Sequence, residues 1–324
     1  MKACLCKSYG PPSTLVVEEV AEPVAGPKDV VVRVKACALN FFDTLIIQGK
    51  YQFKPDMPFS PSAEFAGVVE SVGGDVSEFS VGDRVMGYMR WGAAREMVAV
   101  SEQELIAIPN DVSFEIAAGL TVTYGTTLHA YRDRADLQPG ETVAVLGASG
   151  GVGQAAVEIA ALMGAKVIAC ASSEEKLGFA RSLGAELTID YSRQPLKETL
   201  KELTDGKGVD VVYDPVGGDL SEQALRATGW EGRFLVIGFA AGDIPKIPLN
   251  IVMLKGCDVQ GVFWGEALVR DPAGHKRNMA ALHDWVQEGK LKPHVHAVYP
   301  LEDIAVALDE IAARRVRGKV ILTP

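Results

Sequence analysis

Through the first third of the chain, apolar and polar positions alternate in short runs rich in β-branched residues. These are STLVVEEV (residues 13–20), DVVVRVKAC (29–37), EFAGVVESVG (64–73) and EMVAVSEQELIAIP (96–109). Gly, Pro and Asp punctuate them, so the pattern predicts strands joined by tight turns in a compact, barrel-like β domain. From Leu120 onward the rhythm changes. ETVAVLG (141–147), AKVIACA (165–171), AELTID (185–190), VDVVYD (209–214) and RFLVIG (233–238) are nearly continuous apolar runs, separated by helical segments such as GQAAVEIAALMG (153–164) and EEKLGFARSLG (174–184). Strands apolar on both faces that alternate with helices predict a parallel sheet covered on both sides, the doubly wound α/β architecture. After DVQGVFWG (258–265) the alternation stops. A longer helical stretch, HKRNMAALHDWVQEG (275–289), leads to a closing strand, KVILT (319–323), and this tail is expected to rejoin the first domain. The expected organisation is a discontinuous domain of residues 1–119 and 265–324 around a second domain of residues 120–264.

A chain of 324 residues exceeds the size at which one core usually stops growing, in keeping with two domains. The formal net charge of -10 and the lack of a long basic run argue against nucleic acid or an anionic membrane as the main partner. No apolar run approaches the length of a membrane span, and MKACLCKSYG lacks the apolar core of a signal peptide, so a soluble, cytoplasmic protein is expected. Cys4, Cys6, Cys37, Cys170 and Cys257 are odd in number and scattered through apolar sequence, which predicts buried free thiols.

ETVAVLGASGGVGQAAVEIAALMGA (141–165) reads as a strand, a glycine-rich turn and a helix in immediate succession, with Gly147, Gly150 and Gly153 at three-residue intervals. Glycines permit the tight turn and let the backbone approach a pyrophosphate, which the unpaired N–H groups of the first helical turn, at Gly150, Gly151 and Val152, would receive. Tight turns also need glycine for steric reasons alone, but the strand–turn–helix context favours a dinucleotide. At the end of the next strand, KVIACASSEEK (166–176), an NAD-selective fold usually offers an acid to the ribose hydroxyls. Here Ala171 stands there, followed by Ser172, Ser173 and Lys176, which can hydrogen-bond and neutralise a 2′-phosphate, so NADPH is the expected cofactor. Ser173 also suits a helix cap, and Glu174, near the distance of a ribose-binding acid, keeps NADH as the minority reading.

With these features, the stretches ALNFFD, IIQGKY, PFSPSAEFAGVVESVGGDVSEFSVGDRV, VTYGTTLHA, LQPGETVAVLGASGGVG, VVYDPVGGD and GKVIL span nearly the full length. Together they resemble the medium-chain dehydrogenase/reductase superfamily, and within it the zinc-independent, zeta-crystallin-like NADPH:quinone oxidoreductases. The resemblance implies a Rossmann domain and a GroES-like β-barrel domain holding the substrate cleft. It implies that Tyr191 assists Lys176 and Ser173 at the 2′-phosphate, and that Gly238, Phe239 and Phe263 flank the nicotinamide. It also implies a homodimer through the Rossmann sheet edge, for which GCDVQGVFW (256–264), β-rich and weakly charged, is the expected strand.

Zinc alcohol dehydrogenases of the superfamily ligate their catalytic metal at positions that here match Asn40, Ala63 and Leu120. Ala and Leu cannot ligate and Asn is a poor zinc ligand, so no metal is expected. Asp43 and Glu64 are read as structural groups. Without a Lewis acid, alcohol oxidation lacks its usual means of activation, whereas a quinone or an alkene conjugated to a carbonyl takes hydride more readily. Asn40 and Tyr51 are the candidates for orienting such an acceptor and for electrostatic or acid assistance, with Asn40 and Thr123 also placed against the cofactor. The plain alternatives are a turn residue for Asn40 and a half-buried aromatic for Tyr51. DTLIIQGKY (43–51) also resembles the mitochondrial 2-enoyl thioester reductases, in which a Tyr here is implicated in proton supply. Quinone reduction is therefore expected first, enone or enoyl-thioester reduction second, and a non-catalytic NADPH-binding sensor or structural protein third.

Overall fold

The computed structural model describes residues 1–324 and divides them into two compact units, residues 1–122 with 279–324 and residues 123–278. In chain order the strands are β1 (Lys2–Leu5), β2 (Val16–Glu19), β3 (Asp29–Leu39), β4 (Glu64–Val72), β5 (Arg84–Tyr88), β6 (Met97–Ser101) and β7 (Leu105–Ala107). There follow β8 (Thr142–Leu146), β9 (Lys166–Ala171), β10 (Leu187–Asp190), β11 (Val209–Asp214), β12 (Thr228–Val236), β13 (Asp258–Gly261), β14 (Val295–Pro300) and β15 (Lys319–Thr323).

The first unit carries a seven-stranded sheet in the order β14-β15-β3-β4-β5-β7, with β6 also paired to β3. Its alternating inward residues, among them Val30, Val32, Phe65, Val69, Val85 and Val98, form one continuous core. The C-terminal strand β15 runs antiparallel to β3, placing Val320 opposite Leu39. This pairing sets Lys319 beside the end of β3, where the short helix Phe41–Ile46 begins.

The second unit is a six-stranded parallel sheet in the order β10-β9-β8-β11-β12-β13. The chain leaves β8 first to one side and then to the other, so the order reverses beside β8, and in such sheets ligands bind outside the carboxyl ends of the strands at that point. β13 is an edge strand, with Val259 on it and Trp230, Leu249, Met253 and Leu254 in the same unit all exposed. The chain returns to the first unit at residue 279, later than the expected 265. Residues 264–278 stay in the second unit because Trp264 packs on Gly125, and Asn278 bonds both Arg132 and Asp133. All five cysteines are free and buried. No helix is long and apolar enough to cross a membrane.

Candidate functional site

In the first unit, Asn40 follows β3 directly and caps the helix Phe41–Ile46. Its backbone N–H donates to Asp43 Oδ2 at 2.8 Å, and the other oxygen of Asp43 accepts the Ser62 N–H at 2.9 Å. Burial pushes the Asp43 carboxyl up to about 7, against the opposing pull of these two N–H donors and of the Lys319 charge. Asp43 thus joins the corner at Asn40 to the left-handed residue Ser62, which has φ 65°. The Asn40 side chain is held from both ends. Its Nδ2 donates to Glu64 Oε1 at 2.9 Å, and its Oδ1 accepts from Lys319 Nζ at 2.7 Å. Lys319 Nζ also donates to Glu64 Oε1 at 2.7 Å and to the Leu39 carbonyl at 3.3 Å, while Glu64 Oε2 accepts the Val122 N–H at 2.6 Å. Lys319 and Glu64 are 2% and 0% exposed at the side chain, so this is a fully buried ion pair.

Tyr51 is half-buried against the core. It stacks on Phe42 at 5.4 Å between ring centroids and meets Phe53 edge-on at 5.8 Å. Phe53 in turn lies 6.4 Å from the Trp91 ring, with the Arg90 guanidinium 5.0 Å above it. No protein group hydrogen-bonds the Tyr51 hydroxyl. Burial, and then the Asp43 carboxylate, raise its pKa, so the phenol keeps its proton throughout the neutral range.

In the second unit the glycine-rich turn follows β8. Gly147 has a left-handed φ of 61°, Gly150 caps the helix Gly151–Leu162 without any side-chain cap, and Gly151 and Val152 form its first turn. The N–H groups of that turn are therefore open to an anion. At the end of β9, Ser173 caps the helix Glu174–Ser182 by accepting the Lys176 N–H, and Lys176 Nζ lies 3.3 Å from Ser172 Oγ. Tyr191 follows the neighbouring β10 and donates its N–H to the Ala171 carbonyl at 3.1 Å. Ser172, Ser173, Lys176 and Tyr191 therefore gather at one sheet corner. Glu174 is turned away, engaging the Arg181 guanidinium with both oxygens.

At the end of β11, Asp214 accepts the N–H groups of Val216 and Gly217 at 2.8 and 2.9 Å and the Ser221 hydroxyl. Burial raises its pKa, with these donors opposing the shift. The loop so ordered packs against the one after β12: the Ala240 N–H donates to the Pro215 carbonyl, and Phe239 lies over Gly217. The Val262 N–H donates to the Val236 carbonyl, which brings Phe263 beside the ends of β12 and β13. Gly238, Phe239 and Phe263 are thus neighbours at the carboxyl edge. Thr123 is buried at the start of the helix Thr123–Leu128. The adjacent Tyr124 is a core residue, because its buried hydroxyl donates to Glu158 and accepts from Gln154.

Residues 26–110 match the family described as alcohol dehydrogenase GroES-like domain, and residues 151–286 the one described as zinc-binding dehydrogenase. The chain is 40% identical over 323 residues to quinone oxidoreductase-like protein 2 of Rattus norvegicus, spanning 99% of this chain and 92% of that protein. It belongs to the quinone oxidoreductase-like medium-chain dehydrogenases/reductases. Two solved structures of such relatives resemble it over essentially their whole length. Escherichia coli quinone oxidoreductase complexed with NADPH has a TM-score of 0.94 at 29% identity, covering 100% of both chains. The CurK enoyl reductase has a TM-score of 0.89 at 29% identity, covering 99% of this chain and 98% of that one.

The family description names zinc, and the residues here do not fit it. The three positions that would ligate a catalytic zinc hold Asn40, Ala63 and Leu120, all buried. The one polar side chain among them already spends its oxygen on the Lys319 ammonium. No group of three or more His, Cys, Asp or Glu side chains converges anywhere in the chain. Two buried charged residues, one in each unit, lie outside the sequence-based set. Lys319 was signalled by a lysine opening the apolar run KVIL, and Asp214 by an acid closing the apolar strand VDVVYD.

Proposed function

We propose that this chain is a zinc-independent reductase that passes hydride from NADPH to a quinone, with Asn40 and Tyr51 facing the acceptor. The observation that carries this reading is the locked Asn40 amide, tied to Lys319 and Glu64 at the place where the superfamily's metal ligand would stand. A site with donors but no Lewis acid suits an acceptor that is already electron-poor. NADPH sits on the second unit, its pyrophosphate on the N–H groups after Gly150 and its 2′-phosphate on Ser172, Ser173, Lys176 and Tyr191. Gly238, Phe239, Phe263 and Thr123 border the nicotinamide. The NADPH complex of the Escherichia coli relative supports the choice of cofactor.

Reduction of an enone or enoyl thioester is the second reading, favoured by the likeness to the CurK enoyl reductase and by the protonated, unpartnered Tyr51 hydroxyl. Steady-state assays with NADPH and NADH over quinones, enones, enals and enoyl-CoA thioesters decide between them. The best acceptor is expected among the quinones, and Tyr51→Phe is expected to lower turnover of the preferred class by about tenfold. Full activity of Tyr51→Phe on every acceptor would remove Tyr51 as a proton donor. Binding of NADPH without any turnover would make the chain a sensor or structural protein instead.

Lys176→Ala is expected to abolish a strong kcat/KM preference for NADPH over NADH, since one charge-assisted phosphate contact contributes about 1.5–3 kcal/mol. Equal use of both cofactors by the unmodified enzyme would refute the 2′-phosphate assignment. We further propose a homodimer through the open edge of β13 and the exposed Trp230 and Met253, 71% and 72% accessible. Light scattering is expected to give twice the 34.6 kDa chain mass, and a monomer at micromolar concentration would count against it.

A further inference from the structure

Lys319 donates to three acceptors: Asn40 Oδ1, Glu64 Oε1 and the Leu39 carbonyl. A neutral amine has only two N–H bonds to give, so this geometry is that of the ammonium ion. The amide of Asn40 is thereby fixed in one of its two orientations. Its oxygen faces the cation, one Nδ2 hydrogen faces Glu64, and the second Nδ2 hydrogen remains to be donated. A full positive charge at the amide oxygen draws electron density from the amide nitrogen and strengthens that remaining donor, an effect enlarged in a buried setting.

We propose that Lys319 is a positioning residue for reduction: it orients and polarises the Asn40 amide so that its free N–H stabilises negative charge forming on the acceptor oxygen. The inference rests on the proposed reductase activity. The cation sits in the first unit on β15, 279 residues from Asn40 in sequence, so the pairing of β15 with β3 brings it to the acceptor site. A purely structural counter-ion of Glu64 would affect stability alone. A positioning residue affects turnover most where the acceptor is weakest, because poorer acceptors need more help in carrying the negative charge.

The test is a series of quinones of graded reduction potential, assayed with NADPH on the unmodified protein and on the Lys319→Met/Glu64→Gln double variant. That pair removes both buried charges together and favours the flipped Asn40 amide, since the glutamine side chain introduced by Glu64→Gln presents an N–H toward it. NADPH affinity is expected to stay within about twofold, while kcat falls by about tenfold or more for the weakest acceptor and much less for the strongest. Equal rates across the series in the folded double variant would overturn the proposal. If that variant shows no cooperative unfolding transition, Lys319→Arg takes its place, since a guanidinium fork keeps the charge but not the single donor geometry. It is expected to give the same acceptor-dependent loss, and a uniform effect would overturn the proposal. Absence of turnover in the unmodified protein would refute the reductase reading and this inference with it, whereas normal turnover with insensitive variants refutes the inference alone.

Discussion

Gly153→Ala is expected to unfold the second unit, while Gly150→Ala leaves it folded and weakens NADPH binding. The two glycines belong to one turn, but their surroundings differ. A Cβ at Gly153 would lie 2.1 Å from the Gly147 carbonyl oxygen and 2.9 Å from the Ala148 Cα. Both are backbone atoms of the turn that leaves β8, and neither can swing away as a side chain would. A cost of about 4 kcal/mol or more follows, in the range reserved for core overpacking and backbone strain. At Gly150 the backbone is ordinary extended chain, with φ −75° and ψ 174°, and a Cβ would meet only the Gly147 oxygen at 3.6 Å. Neither conformation nor crowding within the protein demands glycine there, so what it keeps clear is the space before the helix N-terminus. A methyl group in that space is expected to raise the NADPH Kd by about tenfold or more, with the melting midpoint nearly unchanged. Thermal denaturation and NADPH fluorescence titration of the two variants read these effects separately. A Gly150→Ala protein with normal affinity would move the pyrophosphate off this loop.

The same turn shows what the sequence reveals. Glycines at three-residue spacing after an apolar strand identify a nucleotide loop, because period and composition are local properties. Which glycine serves packing and which serves the ligand depends on atoms brought in from elsewhere, and only the folded chain separates them. The parallel sheet was legible for a related reason. Strands buried on both faces carry runs such as VIACA and VDVVY that need no partner to be recognised. The short strand β5 was missed, since RVMGY contains a glycine and too few alternations to stand out. The return point at residue 279 was missed as well, because Trp264 looks the same in sequence whether it packs in one unit or the other.

Asn40 illustrates the limit at the candidate site. Its position in ALNFFD marked it as the residue standing in a vacated ligand position, and its amide as a potential donor. Its two partners lie 24 residues away on β4 and 279 residues away on β15. No pattern within a window of sequence connects them. A lysine at the head of KVIL reads as a strand end reaching for solvent, and its burial becomes evident only when β15 is paired with β3.

That pairing leads to the second large effect: Glu64→Ala is expected to destabilise the first unit by about 3–5 kcal/mol. The substitution leaves the Lys319 ammonium buried without its counter-ion, and it strips the acceptor from the Asn40 Nδ2 and from the Val122 N–H. The cost of an isolated buried charge exceeds the worth of the pair itself, because desolvating two ions offsets most of their attraction. The sign of the next step follows. Adding Lys319→Met to Glu64→Ala removes the stranded charge, and the double variant is expected to recover at least half of the lost stability. A methionine stem can occupy the path of the lysine stem, whose Cγ would lie 3.3 Å from a Cβ placed on Gly119, so no large cavity is opened. Urea unfolding of the unmodified protein, both single variants and the double variant gives the coupling energy directly. Additive losses, with no recovery in the double variant, would mean that Glu64 acts mainly as the acceptor for Val122 and Asn40. Recovery of stability with continued loss of turnover would separate the two roles of the pair: the charges are then dispensable for holding the unit together, and needed for holding the Asn40 amide in its working orientation.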